Sequence, residues 1–76
     1  MVFRLSLPEA CSGRLDIFDV TGRRVCTVSD GALPRGESLA QWSGDDARGS
    51  RAERGMYFAR LLTPAGRASV KVVVTD

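Results

Sequence analysis

Trp42-Ser43-Gly44-Asp45-Asp46-Ala47-Arg48-Gly49, followed after a short polar interval by Gly55-Met56-Tyr57-Phe58-Ala59-Arg60, decides how this chain folds. Trp42 closes an alternating run in which Ser38, Ala40 and Trp42 share one face and Leu39, Gln41 and Ser43 the other. A period of two belongs to a strand, and here it drops a large indole into a core from the strand's end. Gly44 and Gly49 bracket a polar stretch in which the backbone must reverse, and glycine takes the positive φ of such turns most cheaply. Asp46 is placed to accept hydrogen bonds from amides of its own loop. Gly55 then opens a strand that points Tyr57 inward.

Working outward, strand signals recur at short intervals with turn residues between them, the pattern of an all-β domain. Residues 2–7 alternate, with Phe3, Leu5 and Leu7 on one face, and residues 8–13 form a turn cluster. Residues 14–20 make the second strand, with Leu15 and Ile17 facing in and Phe18 and Val20 on the other side. The tight connection Asp19-Val20-Thr21-Gly22 leads to a third strand over 23–29, and residues 30–36 read as a long polar turn. The fourth strand covers 37–43, a short edge strand is expected around 51–53, and residues 55–62 form a strand. Thr63-Pro64-Ala65-Gly66 turns the chain into a last, valine-rich strand over 67–75. No window carries helical periodicity, and no repeat, linker or low-complexity tract is evident. About seven short strands of this kind predict a small immunoglobulin-like β-sandwich occupying residues 1–76 as one domain.

Seventy-six residues leave room for one core only. A chain of this length buries about 60–65% of the surface its unfolded form exposes, so its stability margin is thin. Ten arginines and Lys71 against nine acids give a net charge of +2, which suits solubility rather than a nucleic-acid footprint. No apolar run approaches the roughly 18 residues that span a bilayer, and the first eight residues alternate too evenly for a signal peptide. Two cysteines, Cys11 and Cys26, are available for a bridge. Folding the chain at Thr21-Gly22 sets Cys26 opposite Ile17 and leaves Cys11 in the preceding turn, too far for the ~7 Å a disulfide requires. Both are read as unpaired thiols.

With no histidine, the commonest general base and the usual metal ligand are missing, along with every Ser-His or Cys-His nucleophile pair. Residues 31–36 have the glycine spacing of a phosphate loop, but Glu37 follows where lysine is needed and no helix is expected. Asp45 and Asp46 sit in an oxygen-rich loop that invites calcium. Adjacent aspartates do not match the alternating ligand spacing, and Arg48, Arg51 and Arg54 compete for the same carboxylates. Capping of its own turn is the better reading of Asp46, so no metal, cofactor or catalysis is expected. The arginines also invite single-stranded nucleic acid, yet alternation assigns the aromatics to the core or to strand flanks rather than to exposed platforms. Solvated strand faces account for them better.

Taken with Ile17-Phe18-Asp19-Val20-Thr21-Gly22-Arg23-Arg24-Val25 upstream, the set resembles the immunoglobulin-like C-terminal domains of secreted bacterial proteins. Two relatives of that pattern are the type IX secretion C-terminal sorting domain and the FlgD-like domain of the flagellar hook cap. Their shared pattern runs I-Y-D-x-x-G-R-x-V, then W-D-G-x-D-x-x-G, then G-x-Y, and its order and spacing match nearly the whole chain. Asp19, Gly22, Trp42, Gly44, Asp46, Gly49, Gly55 and Tyr57 are its architectural residues. Three features depart from the pattern: Ser43 stands where aspartate is usual, no proline-asparagine-proline leader precedes the first strand, and the end is Val74-Thr75-Asp76 rather than a basic tail.

The resemblance implies a non-enzymatic domain, a fragment of a larger exported protein, that reaches the cell surface or the medium through the periplasm. Its partner would be secretion machinery or a neighbouring protein domain, with neither nucleic acid nor membrane insertion involved. Arg67, Lys71 and Asp76, on the terminal strand, form the candidate recognition surface. Two other roles stay open: a packing domain of hook-cap or adhesin type, and a stabilising appendage of an upstream hydrolase.

Overall fold

The computed structural model describes residues 1–75. Among them six strands form: β1 (Val2–Leu7), β2 (Cys11–Asp19), β3 (Arg24–Leu33), β4 (Gly36–Gln41), β5 (Gly55–Thr63) and β6 (Gly66–Val74). All pair antiparallel, in two sheets. One holds β1 and β4; the other runs β3-β2-β5-β6. The chain is all-β, and the two sheets face each other across one core, a small β-sandwich.

Alternation explains what lies in that core. In the larger sheet, Leu15 pairs with Leu61, Ile17 with Ala59, and Tyr57 with Val72, so these residues share the inner face. Leu5, with Phe3 and Leu7 partly buried beside it, comes from the smaller sheet, and Trp42 arrives from just beyond β4. Ile17, at 0% exposure, sits at the centre.

Several boundaries differ from the sequence expectation, including β4, which ends at Gln41 rather than at residue 43. The short strand expected around 51–53 is only a single bridge between Asp45 and Arg51, which leaves six strands instead of seven. The turn expected over 8–13 is shorter, because β2 already begins at Cys11. Gly13 is buried there, and a Cβ on it would stand 2.6 Å from Cδ1 of Leu33. The polar turn expected over 30–36 is mostly strand: β3 runs on to Leu33, which is buried, and Pro34-Arg35 suffices to turn into β4. Asp30 and Gly31 look like turn residues, but pairing with Arg14 and Gly13 overrides that local preference. At the other end of β2, Val20 lies beyond the strand and is exposed.

The two edges of the larger sheet are built differently. Register shifts interrupt the β2–β3 ladder between Leu15 and Asp16 and again between Ile17 and Phe18, so Val28 and Val25 bulge from β3. The backbone N–H of Ala47 also donates to the Val25 carbonyl at 3.1 Å, covering part of that edge. The β5–β6 ladder is unbroken from Gly55–Val74 to Thr63–Gly66. Among the described residues no strand lies beyond β6.

Candidate functional site

The chain between β4 and β5 is the least regular segment of the fold, and two core aromatics hold it at both ends. Trp42 donates its Nε1–H to the Asp45 carbonyl at 2.9 Å, and the Tyr57 hydroxyl donates to the Glu53 carbonyl at 2.6 Å. Burial of each ring is thus compatible with its polar atom, which finds a backbone partner in the loop. Between the two anchors, Ala52 N–H donates to the Gly44 carbonyl at 2.8 Å. Gly44 has φ of 88°, and Gly55 begins β5 as expected.

Within that segment, residues 46–50 repeat the geometry of residues 19–23. Asp19 Oδ1 accepts from the amides of Thr21 (2.9 Å) and Arg23 (3.0 Å); Asp46 Oδ1 accepts from those of Arg48 (2.9 Å) and Ser50 (3.0 Å). Gly22 N–H donates to the Asp19 carbonyl and Gly49 N–H to that of Asp46, both at 3.0 Å. Each turn closes with the aspartate's own N–H on the carbonyl four residues ahead, at 2.9 and 2.7 Å. Gly22 and Gly49 hold φ of 88° and 85°, where a Cβ is strained. The sequence carried this signal as Asp-x-x-Gly at two places, although no repeat was expected; five residues are too few to register as an internal period.

Asp19 has further partners in the Thr21 hydroxyl at 2.6 Å and the Arg23 guanidinium at 3.6 Å. The Thr21 hydroxyl foremost, against desolvation as the next-largest influence, and then the Arg23 and Thr21 amides and the Arg23 charge, leave its carboxyl lowered from the ordinary value. On the sheet's outer face Asp16 is buried at 3% exposure, accepting from Thr27 Oγ1 at 2.6 Å and pairing with Arg14 Nε at 3.0 Å. Sequence reasoning gave Asp16 no role. Its burial depends on the cross-strand neighbour Thr27.

Six of the eight architectural residues expected from the sequence therefore fall into two turns and one aromatic anchor pair, and Gly44 and Gly55 stand near the two ends of the irregular segment. Arg67 and Lys71 are exposed on β6, paired with Leu62 and Phe58 of β5; Asp76 lies outside the described residues. Cys26 pairs with Ile17 and Cys11 with Leu33, and both are free thiols. Burial pushes the Cys26 thiol's pKa up. Among the described residues no three of the aspartates, glutamates and cysteines gather as a metal site, and no helix is long and apolar enough to cross a membrane.

Fold and loop together define a six-stranded β-sandwich domain whose irregular segment is fixed by aromatic anchors and aspartate turns. Comparison with protein-family models, with curated proteins and with solved structures returns no match.

Proposed function

We propose that this chain is a non-enzymatic sorting or attachment domain of a secreted bacterial protein, read through its terminal strand by secretion machinery or a neighbouring domain. The observation that carries this reading is the asymmetry of the sheet's edges. β3 is kinked by two bulges and partly covered, which blunts strand addition, whereas β6 keeps a regular register with its far side open. Residues 66–71 are all exposed, and Val70 retains 55% of its surface although its register puts it on the inner face. A partner strand laid along β6 would gain backbone hydrogen bonds for affinity and side-chain contacts for specificity. Arg67 and Lys71 stand on the strand's other face, where they can select that partner without disturbing the core.

A reporter carrying this chain at its C-terminus tests the proposal in a type IX-competent bacterium. The intact fusion should reach the surface, and the Arg67→Ser, Lys71→Ser fusion should stay in the periplasm with unchanged circular dichroism. Retention of the intact fusion in several such hosts would favour the second reading, a structural packing domain. That reading is supported by Met56, Phe58 and Val73, which are 43%, 37% and 54% exposed on the outer face of β5 and β6.

A further inference from the structure

The arginines are unevenly distributed over the surface. Arg23, Arg24, Arg48, Arg51 and Arg54 line one groove of about 760 Å³ between the two aspartate turns. Arg24 also lines a second, shallower groove on the outer face, together with Arg14 and Arg60. Seven of the ten arginines thus follow one track, joined at Arg24.

Of the four carboxylates along the track three are committed, while Glu53 is exposed on the groove's rim and is the one acid a ligand must outcompete. Asp19 and Asp46 turn Oδ1 toward the amides of their own turns, and Asp16 is held by Arg14 and Thr27. Among the described residues, no carboxylate forms an ion pair with Arg24, Arg48 or Arg51, which are all exposed. Guanidinium forks of this kind match carboxylates bidentately. Apolar residues lie between them in the lining: Val20, Val25, Ala47, Ala52 and Met56. Val20 is 66% exposed and Met56 43%, so apolar side chains of a ligand have surface to cover. Stacked nucleobases fit less well. Phe18, the aromatic ring of the second groove, has its face occupied by the Arg60 guanidinium, 4.3 Å from the ring centroid.

We propose that this arginine track binds an acidic peptide segment of a partner protein, with its carboxylates on Arg24, Arg48 and Arg51 and its aliphatic side chains on the lining between them. None of the track's residues lies on β6, so the proposal stands or falls independently of the edge-strand reading.

Fluorescence anisotropy tests it with a labelled peptide of about twelve residues, glutamate with leucine at every third position; extended, it spans roughly 40 Å, the scale of the domain's 35 Å length. Binding should weaken as salt rises. Replacing Arg24, Arg48 and Arg51 together by serine should weaken it about tenfold or more, while the same change at Arg4, Arg35 and Arg67, outside the track, should leave it within about twofold. If the serine triple loses the parent's circular dichroism, the corresponding lysine triple, which keeps charge but loses the fork, decides the matter with a loss of about threefold. Three results would overturn the proposal: no binding at low salt, equal losses from the two serine triples, or tighter binding of an oligothymidylate or a sulfated oligosaccharide than of the peptide.

Discussion

Trp42 and Tyr57 meet edge to face, ring centroids 5.7 Å apart and planes inclined by 66°, and each sends its polar atom to the segment that joins them. One aromatic contact therefore serves two links of the structure. It fills the core between the sheets, and it fixes both ends of the irregular connection from β4 to β5.

Trp42→Ala should cost about 3–5 kcal/mol, the usual loss for a buried aromatic, which in so small a domain is enough to abolish folding. Tyr57→Phe keeps the ring and removes only the bond to the Glu53 carbonyl, so about 0.5–1.5 kcal/mol is expected. Urea unfolding followed by circular dichroism separates the two. A Trp42→Ala protein as stable as the parent would refute the anchor role.

The matched turns make equal demands on their glycines. Gly22→Ala and Gly49→Ala should each cost about 1–2 kcal/mol, since alanine is strained at φ near +85°. Asparagine tolerates that region, so Gly49→Asn should recover much of the loss. Thermal melts of the three variants give the comparison. An alanine variant at Gly49 with the parent's melting temperature would mean that the second turn does not hold its loop.

Residues that act locally were legible in the sequence, and residues that act across strands were not. Trp42, Tyr57 and the two aspartate turns follow from alternation and turn chemistry, as do Leu15 and Ile17 in the core and the pairing of Cys26 with Ile17. Leu33 was hidden because Asp30-Gly31 reads as a turn until β2 is laid beside it. Asp16 was hidden for a similar reason: nothing near it in sequence supplies Thr27 Oγ1. The gathering of seven arginines depends on how three connected stretches meet, which no window of sequence contains.

Gly13 shows how tightly such long-range packing is drawn. A methyl group there would meet Leu33 Cδ1 at 2.6 Å and the Leu62 carbonyl oxygen at 3.3 Å. Leu33 is itself buried and has little room to yield. Gly13→Ala should destabilise by about 1–3 kcal/mol, the range for overpacking. Gly13→Ala combined with Leu33→Val, which withdraws the clashing methyl, should lose less than the two single changes predict together. Simple additivity in urea unfolding would count against this contact.

The two thiols should react at different rates. Cys26 is 8% exposed and burial raises its pKa, so it stays protonated and shielded, whereas Cys11 is partly exposed at the start of β2. Iodoacetamide without reductant should add one label quickly, at Cys11, and the second only at the rate of opening or in urea. Peptide mass mapping locates each. The raised thiol also means that stability falls as pH climbs above about 8.5, where the unfolded chain ionises first. Fast labelling of Cys26 in the native protein would contradict its placement opposite Ile17.

Acid should act through Asp19. Its folded pKa lies below the ordinary value, so the folded state releases that proton more readily than the unfolded chain does. The resulting stabilisation is complete above the unfolded value of about 3.9 and is lost as pH falls through the lowered folded value. Asp19→Asn retains a side-chain oxygen for the Thr21 and Arg23 amides but has no proton to gain. The variant should therefore be somewhat less stable than the parent at neutral pH, with the gap closing as pH drops below about 4. Arg23→Ser removes only one of the lesser causes and should narrow the pH effect without abolishing it, because the Thr21 hydroxyl contributes most. Urea midpoints measured from pH 7 to pH 2.5 provide the check. Parallel curves for parent and Asp19→Asn would show that this carboxylate is not the group through which acid loosens the first turn.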